Sequence, residues 1–269
     1  MLPTELMTST PDEALKIRIR DILLNALAVS SGAIDAVSFL DLGKVFSAFM
    51  TGNVAFLGLR AAGAPGPDWT NIFAAMAGFA VGVYLSTRIV RPSEAFGIWS
   101  QRVTVALCIS LVAHAAFLSV WFASNGRPSV GVVPVLLGSW GFAMGIQSAA
   151  VRRLHVDGIF TTAATATVIF LAGDLANWSA TVKERRRLTG VLVSLFVGAT
   201  AGGLLSVHAH IYAPVLPFVI TVVAVATAAF ALGNLDAEGA EEARPSAIRG
   251  GTVTEREPVA MVPEGQRLS

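Results

Sequence analysis

Six apolar runs of about 20 residues constrain this chain most, because a helix of that length spans roughly 30 Å of hydrocarbon. They cover residues 22–42, 71–90, 103–122, 130–151, 188–207 and 213–233. Two shorter runs, 45–59 and 159–176, follow the first and the fourth. Backbone exposed to lipid must satisfy its own hydrogen bonds, so such runs fold as helices. Composition agrees: 54% of the 269 residues are apolar and 14% are charged, against about 25% charged in ordinary soluble domains. The expected fold is all-α, a polytopic integral membrane bundle of six full spans plus two short re-entrant or broken helices. Seven or eight spans is the alternative.

The landmarks occur twice. Gly32, the stretch from Phe46 to Asn53, and Gly78, Gly82, Leu85 and Ser86 mark the first half. Gly145, the stretch from Phe160 to Thr167, and Gly198, Gly202, Leu205 and Ser206 mark the second. Membrane repeat 1 therefore covers 22–122 and membrane repeat 2 covers 130–233. Ahead of them lies a polar N-terminal arm, 1–21, and behind them a Glu-, Arg-, Pro- and Gly-containing tail, 236–269, expected to be disordered. The first run is too long and too interrupted for a signal-peptide core, so no cleaved leader is expected.

Lysine and arginine placement decides how the short runs behave. With all eight runs crossing and the N-terminus inside, nine basic residues outside the tail fall on the inner side and six on the outer. If the short runs instead return to the side they entered from, twelve fall inside and only Lys44, Arg60 and Arg127 outside. The positive-inside rule prefers the second arrangement. Three crossings per repeat is an odd number, so the halves become two inverted repeats, as in many secondary transporters. The expected location is the inner (cytoplasmic) membrane of the cell, with both termini cytoplasmic.

Ser31-Gly32-Ala33-Ile34-Asp35-Ala36, then Phe39-Leu40, then Val45-Phe46-Ser47-Ala48-Phe49-Met50-Thr51-Gly52-Asn53 resembles the signature of the YoaK-like family of uncharacterised bacterial membrane proteins. The similarity covers most of residues 20–233. It implies a multi-spanning membrane protein and brings with it no substrate or catalytic residue. Thr165-Ala166-Thr167 departs from a Thr-Gly element at the matching place in the second half.

Candidate site residues come from polar breaks in apolar runs. Gly52 permits a turn, while Thr51 and Asn53 can cap the half-helix that follows. The positive end of that half-helix suits an anionic or polar solute, and hydrogen bonding to neighbouring helices is the structural alternative. Asp35, well inside the first run, costs at least roughly 2.5–3.5 kcal/mol at the bilayer centre unless paired, hydrated or protonated. Pairing with Lys44 or Arg60 near the outer interface is one way to meet that cost. In the second half Gln147, Thr162 and Thr165 occupy the corresponding region. Together these seven are the expected substrate-binding residues.

The other features read as structure. Gly78/Gly82 and Gly198/Gly202 form small-x-x-x-small faces for close packing between the repeats. His114 is expected to be a buried imidazole with its hydrogen bonds met, and Asp41 and Lys44 an interfacial pair. Cys108 excludes an internal disulfide and is expected to be a buried, inert thiol. His208 and His210 have the wrong spacing for one helical face, so no metal site is expected. Enzyme motifs are missing: no G-x-S-x-G, no H-E-x-x-H, no Walker loop, and no cofactor-binding pattern. Net charge +1 leaves no basic face for nucleic acid. The expected function is a transporter or channel for a small solute or ion. Its partners are membrane lipids and that solute, with a homo-oligomer left open. A membrane scaffold, sensor or partner-binding subunit is the alternative.

Overall fold

The computed structural model describes residues 11–90, 99–154, 164–177 and 182–232, and the described residues hold eight α-helices and no strand. They are α1 (Pro11–Asp41), α2 (Met50–Ala61), α3 (Trp69–Ile89), α4 (Gln101–Ala123), α5 (Val133–Arg152), α6 (Ala164–Asn177), α7 (Val182–His208) and α8 (Val215–Thr227). A 3-10 turn, His210–Tyr212, leads into α8, and a π-helical turn, Ala228–Leu232, prolongs it. Six stretches are long and apolar enough to cross a membrane: α1, α3, α4, α5, α7 and the His210–Ala231 stretch containing α8. The short helices α2 and α6, of 12 and 14 residues, reach only about 18–21 Å at 1.5 Å per residue. The outer surface carries Phe73, Tyr84, Val112, Phe196 and Phe230, as a lipid-facing surface does.

Helix α1 begins at Pro11, so the second half of the arm is helical and continuous with the first span. Proline suits a first helical position, and Asp12 and Glu13 stand where the positive end of the helix favours them. The tail at 236–269 lies outside the described residues.

Two apolar clusters occupy opposite ends of the bundle. One gathers Leu23, Leu24 and Leu27 of α1, Val103 and Leu107 of α4, Ala150 and Val151 of α5, Leu188 of α7 and Val225 of α8. The other gathers Val37 and Leu42 of α1, Ile72 and Ala75 of α3, Trp121 of α4, Leu136 and Trp140 of α5, and Ala213. Cluster membership along each helix gives its direction. Helices α1 and α4 run from the first cluster to the second, while α5 and α8 run the opposite way. Helix α3 starts at the second cluster and ends at Val90 in the first. Around α2, Val45, Ala48 and Ile72 belong to the second cluster, and Phe56 and Leu57 pack against it. Helix α2 thus begins and ends near one end of the bundle.

The tightest packing is crossed: α1 lies on α7, and α3 lies on α5. Glycine permits both approaches. A Cβ on Gly202 would meet the Ala33 carbonyl oxygen at 2.7 Å, and one on Gly32 would strike the backbone of Leu195 and Ala199. A Cβ on Gly78 would strike Gly138, one on Gly82 would strike Phe142, and one on Gly145 would strike Phe79. Both small-residue faces therefore join the first half of the chain to the second. Cys108 is exposed, contrary to expectation. The buried face of α4 is Val103, Ala106, Leu107, Ser110, His114, Phe117 and Trp121. Uniformly apolar helices such as α4 give no periodic cue to which side is inward.

Candidate functional site at the loop ahead of the first short helix

Helix α1 ends in a left-handed turn, with φ of 86° at Gly43 and 64° at Lys44. The chain then folds back along α1 through residues 45–49 before α2 starts. Asp35 Oδ1 accepts backbone hydrogen bonds from Ser47 (2.9 Å) and Ala48 (2.7 Å). One turn further along α1, the Ser38 hydroxyl meets that of Ser47 at 2.8 Å. A carboxylate accepting from N–H groups makes charge-assisted bonds, stronger than neutral ones. Asp35 thus holds the backbone of the loop just ahead of α2. Its partners are backbone amides, and neither Lys44 nor Arg60 is bonded to it.

Asn53 is fully buried. Its amide closes a two-bond ring with Phe46, accepting from the backbone N–H at 3.0 Å and donating to the carbonyl at 2.7 Å. The side chain does here what a neighbouring peptide does in a strand pair. Thr51 is exposed within the first turn of α2, where it caps nothing, and the helix start at Phe49 has no side-chain cap. Gly52 lies against aromatic rings: a Cβ there would come within 2.6 Å of the Phe49 ring and 2.9 Å of Phe46, so a ring would have to shift to admit it. Phe46 stacks on Phe39 and on Phe56, with centroids 5.1 and 5.9 Å apart. Around this knot lies a cavity of about 560 Å³ between α1, the loop and α7. Asp35 and Ser31 are its polar walls, and Phe39, Phe46, Phe49 and Phe196 are among its apolar ones.

The second half differs. Gln147 is fully buried on α5 and donates to the Leu27 carbonyl of α1 at 3.2 Å. Thr165 is exposed at the start of α6, and Thr162 lies outside the described residues. Thr167 is the buried threonine of that helix. The structure therefore brings Asp35, Gly52 and Asn53 together around one loop and places Gln147 apart from them.

Two neighbouring assignments are modified. Asp41 faces His210 Nδ1 at 3.3 Å, and His210 Nε2 lies 2.7 Å from the Gly126 carbonyl. Lys44 keeps an electrostatic interaction with Asp41 and also sits over the Phe39 ring, 5.2 Å from its centroid. His114 is 1% exposed, and neither ring nitrogen has a partner among the described residues. The expected satisfied imidazole is not what the structure contains.

Six long apolar helices with a lipid-compatible surface define an integral, multi-pass membrane protein. The chain belongs to the family described as "Protein of unknown function (DUF1275)", which matches residues 23–227. It is 32% identical over 158 residues to the "UPF0700 transmembrane protein YoaK" of Bacillus subtilis (strain 168), covering 59% of this chain and 68% of that protein. No solved structure matches it.

Proposed function

We propose that the protein is a transporter or channel for a small solute or ion, built from two inverted repeats in the cytoplasmic membrane. The observation that carries this reading is the exchange between halves. The first long helix of each half packs on the second long helix of the other, α1 on α7 and α5 on α3. Helices α1 and α5 also run in opposite directions, as do α4 and α8. Two halves interlocked this way can rock against each other about a shared interface, the usual basis of alternating access. Basic residues support the orientation. Arg18, Arg20, Arg102, Arg152 and Arg187 stand at one end, and Lys44, Arg60 and Arg127 at the other. The richer end, with both termini, is assigned to the cytoplasm.

Within this reading Asp35 latches the 45–49 loop over the cavity between α1 and α7. Thr51, Gly52 and Asn53 shape the adjoining helix start, and Gln147, Thr162 and Thr165 serve the opposite half. No catalytic step and no cofactor is proposed, and lipids are the surrounding partners. One observation favours a second reading, a scaffold or partner-binding subunit. Asp35 and Asn53 spend their hydrogen bonds on the chain's own backbone. Uptake by proteoliposomes separates the two, with small anions, cations and neutral metabolites as probes. The transport reading predicts passage of at least one class above protein-free vesicles. No passage of any class favours the scaffold.

A further inference from the structure

Helices α1 and α7 lie side by side and run the same way, from the first apolar cluster to the second. Where both enter the bundle, a groove of about 820 Å³ opens between them. Arg18 and Asp21 of α1 and Arg186 and Arg187 of α7 line its charged end. Ile22 and Val193, 59% and 54% exposed, line its apolar end. The change from charge to hydrocarbon falls where the apolar runs begin, at residues 22 and 188. The floor between the two ends is fixed. Asn25 donates to the Asp21 carbonyl at 2.9 Å and accepts from the Ser194 hydroxyl at 3.2 Å. Gly190 leaves the groove open above it, since a Cβ there would stand only 3.2 Å from Asn25 Oδ1.

Charge selects the ligand. Asp21 is bonded to Arg20 at 3.0 Å and lies 4.0 Å from Arg187. Arg18 and Arg186 are exposed and have no ion pair among the described residues. Three guanidiniums against one carboxylate make the groove cationic. The guanidinium fork matches phosphate oxygens two at a time. A free phosphate would meet the arginines and leave Ile22 and Val193 uncovered. A phospholipid lying at the boundary meets both ends, its phosphate at the arginines and its chains along the apolar side chains. Basic pockets between spanning helices at the cytoplasmic face take anionic headgroups on the same grounds.

We propose that this groove is a binding site for an anionic glycerophospholipid, with the phosphate on Arg18 and Arg186 and the acyl chains along Ile22 and Val193. The site does not depend on whether the protein transports. Its test uses the purified full-length protein in neutral detergent, titrated with short-chain phosphatidylglycerol, phosphatidylcholine or inorganic phosphate. A ligand that binds the folded state raises the melting point. Phosphatidylglycerol is expected to do so at concentrations where the other two do not. Arg18→Gln with Arg186→Gln is expected to raise the midpoint concentration about tenfold or more. The lipid-free melting point of that pair should stay within about 2 °C of wild type, because both side chains are exposed. Arg88→Gln with Arg152→Gln removes the same charge from exposed positions at the same end but outside the groove. That pair is expected to bind within about twofold of wild type. Should the first pair not fold, Arg18→Lys with Arg186→Lys carries the test, since it keeps both charges and loses both forks. It is expected to weaken binding about threefold, and no weakening overturns the site. An equal response to phosphatidylcholine or to inorganic phosphate overturns an anionic lipid as the ligand. No response to phosphatidylglycerol, or equal weakening in the two glutamine pairs, overturns the site itself.

Discussion

Gly82→Leu and Gly202→Leu are each expected to cost about 3 kcal/mol or more, the upper range for forcing bulk into packed interiors. The reason is backbone, not side-chain, contact. A Cβ at Gly82 already collides with the Phe142 carbonyl of α5, and one at Gly202 comes within 2.7 Å of the Ala33 carbonyl of α1. Neither neighbour can rotate away, so the helices must separate along their whole contact. Leucine at Ala80, which is exposed, or at Ala201, which is partly buried beside Gly202, serves as the control. Melting points in detergent are expected to fall by roughly 10 °C for the glycine variants and by little for the controls. Equal stability across all four variants would remove the close α3–α5 and α1–α7 packing from the account.

Asp35→Ala is expected to release the loop that precedes α2. The change leaves the Ser47 and Ala48 amides without the carboxylate that accepts both. Two bonds to a charged acceptor make a loss of about 3 kcal/mol or more the expected stability effect. Asp35→Asn keeps one acceptor oxygen in nearly the same place and is expected to lose about 1 kcal/mol. Asn53→Ala removes both bonds to Phe46 and falls between them. Amide exchange over residues 45–49 is the direct readout. It should quicken strongly in Asp35→Ala, moderately in Asn53→Ala and least in Asp35→Asn. Unchanged exchange in Asp35→Ala would show that the carboxylate does not hold the loop.

The long helices are legible because lipid thickness translates directly into run length, and α3 and α4 start within two residues of the expected bounds. The start of α1 at Pro11 is not, since its first turns carry charge and lie outside the apolar run. Glycine pairs announce that helices approach closely, but not which ones. The crossed pairing is a property of the assembled bundle. For Asp35 the sequence offered Lys44 or Arg60 as partners and a solute as ligand, whereas its bonds go to the Ser47 and Ala48 amides, and backbone donors leave no mark in a sequence. Asn53 is misleading in the same way: Thr-Gly-Asn suggests a cap, and the amide instead pairs with the peptide of Phe46 seven residues earlier. His114 was expected to have a partner because buried imidazoles usually do. The absence of one among the described residues emerges only when α4 is packed against α5 and α8.

The central claim is that the chain crosses the membrane six times, with α2 returning to the side from which it entered. Lys44 precedes α2 and Pro65 follows it, and both are exposed. Single cysteines at these two positions, in a Cys108→Ser background, can be probed in intact cells with a membrane-impermeant thiol reagent. The account predicts that Lys44→Cys and Pro65→Cys are both labelled from outside, while Arg102→Cys is labelled only after the cells are opened. Labelling of Lys44→Cys and Pro65→Cys from opposite sides would make α2 a full crossing and contradict the inverted arrangement.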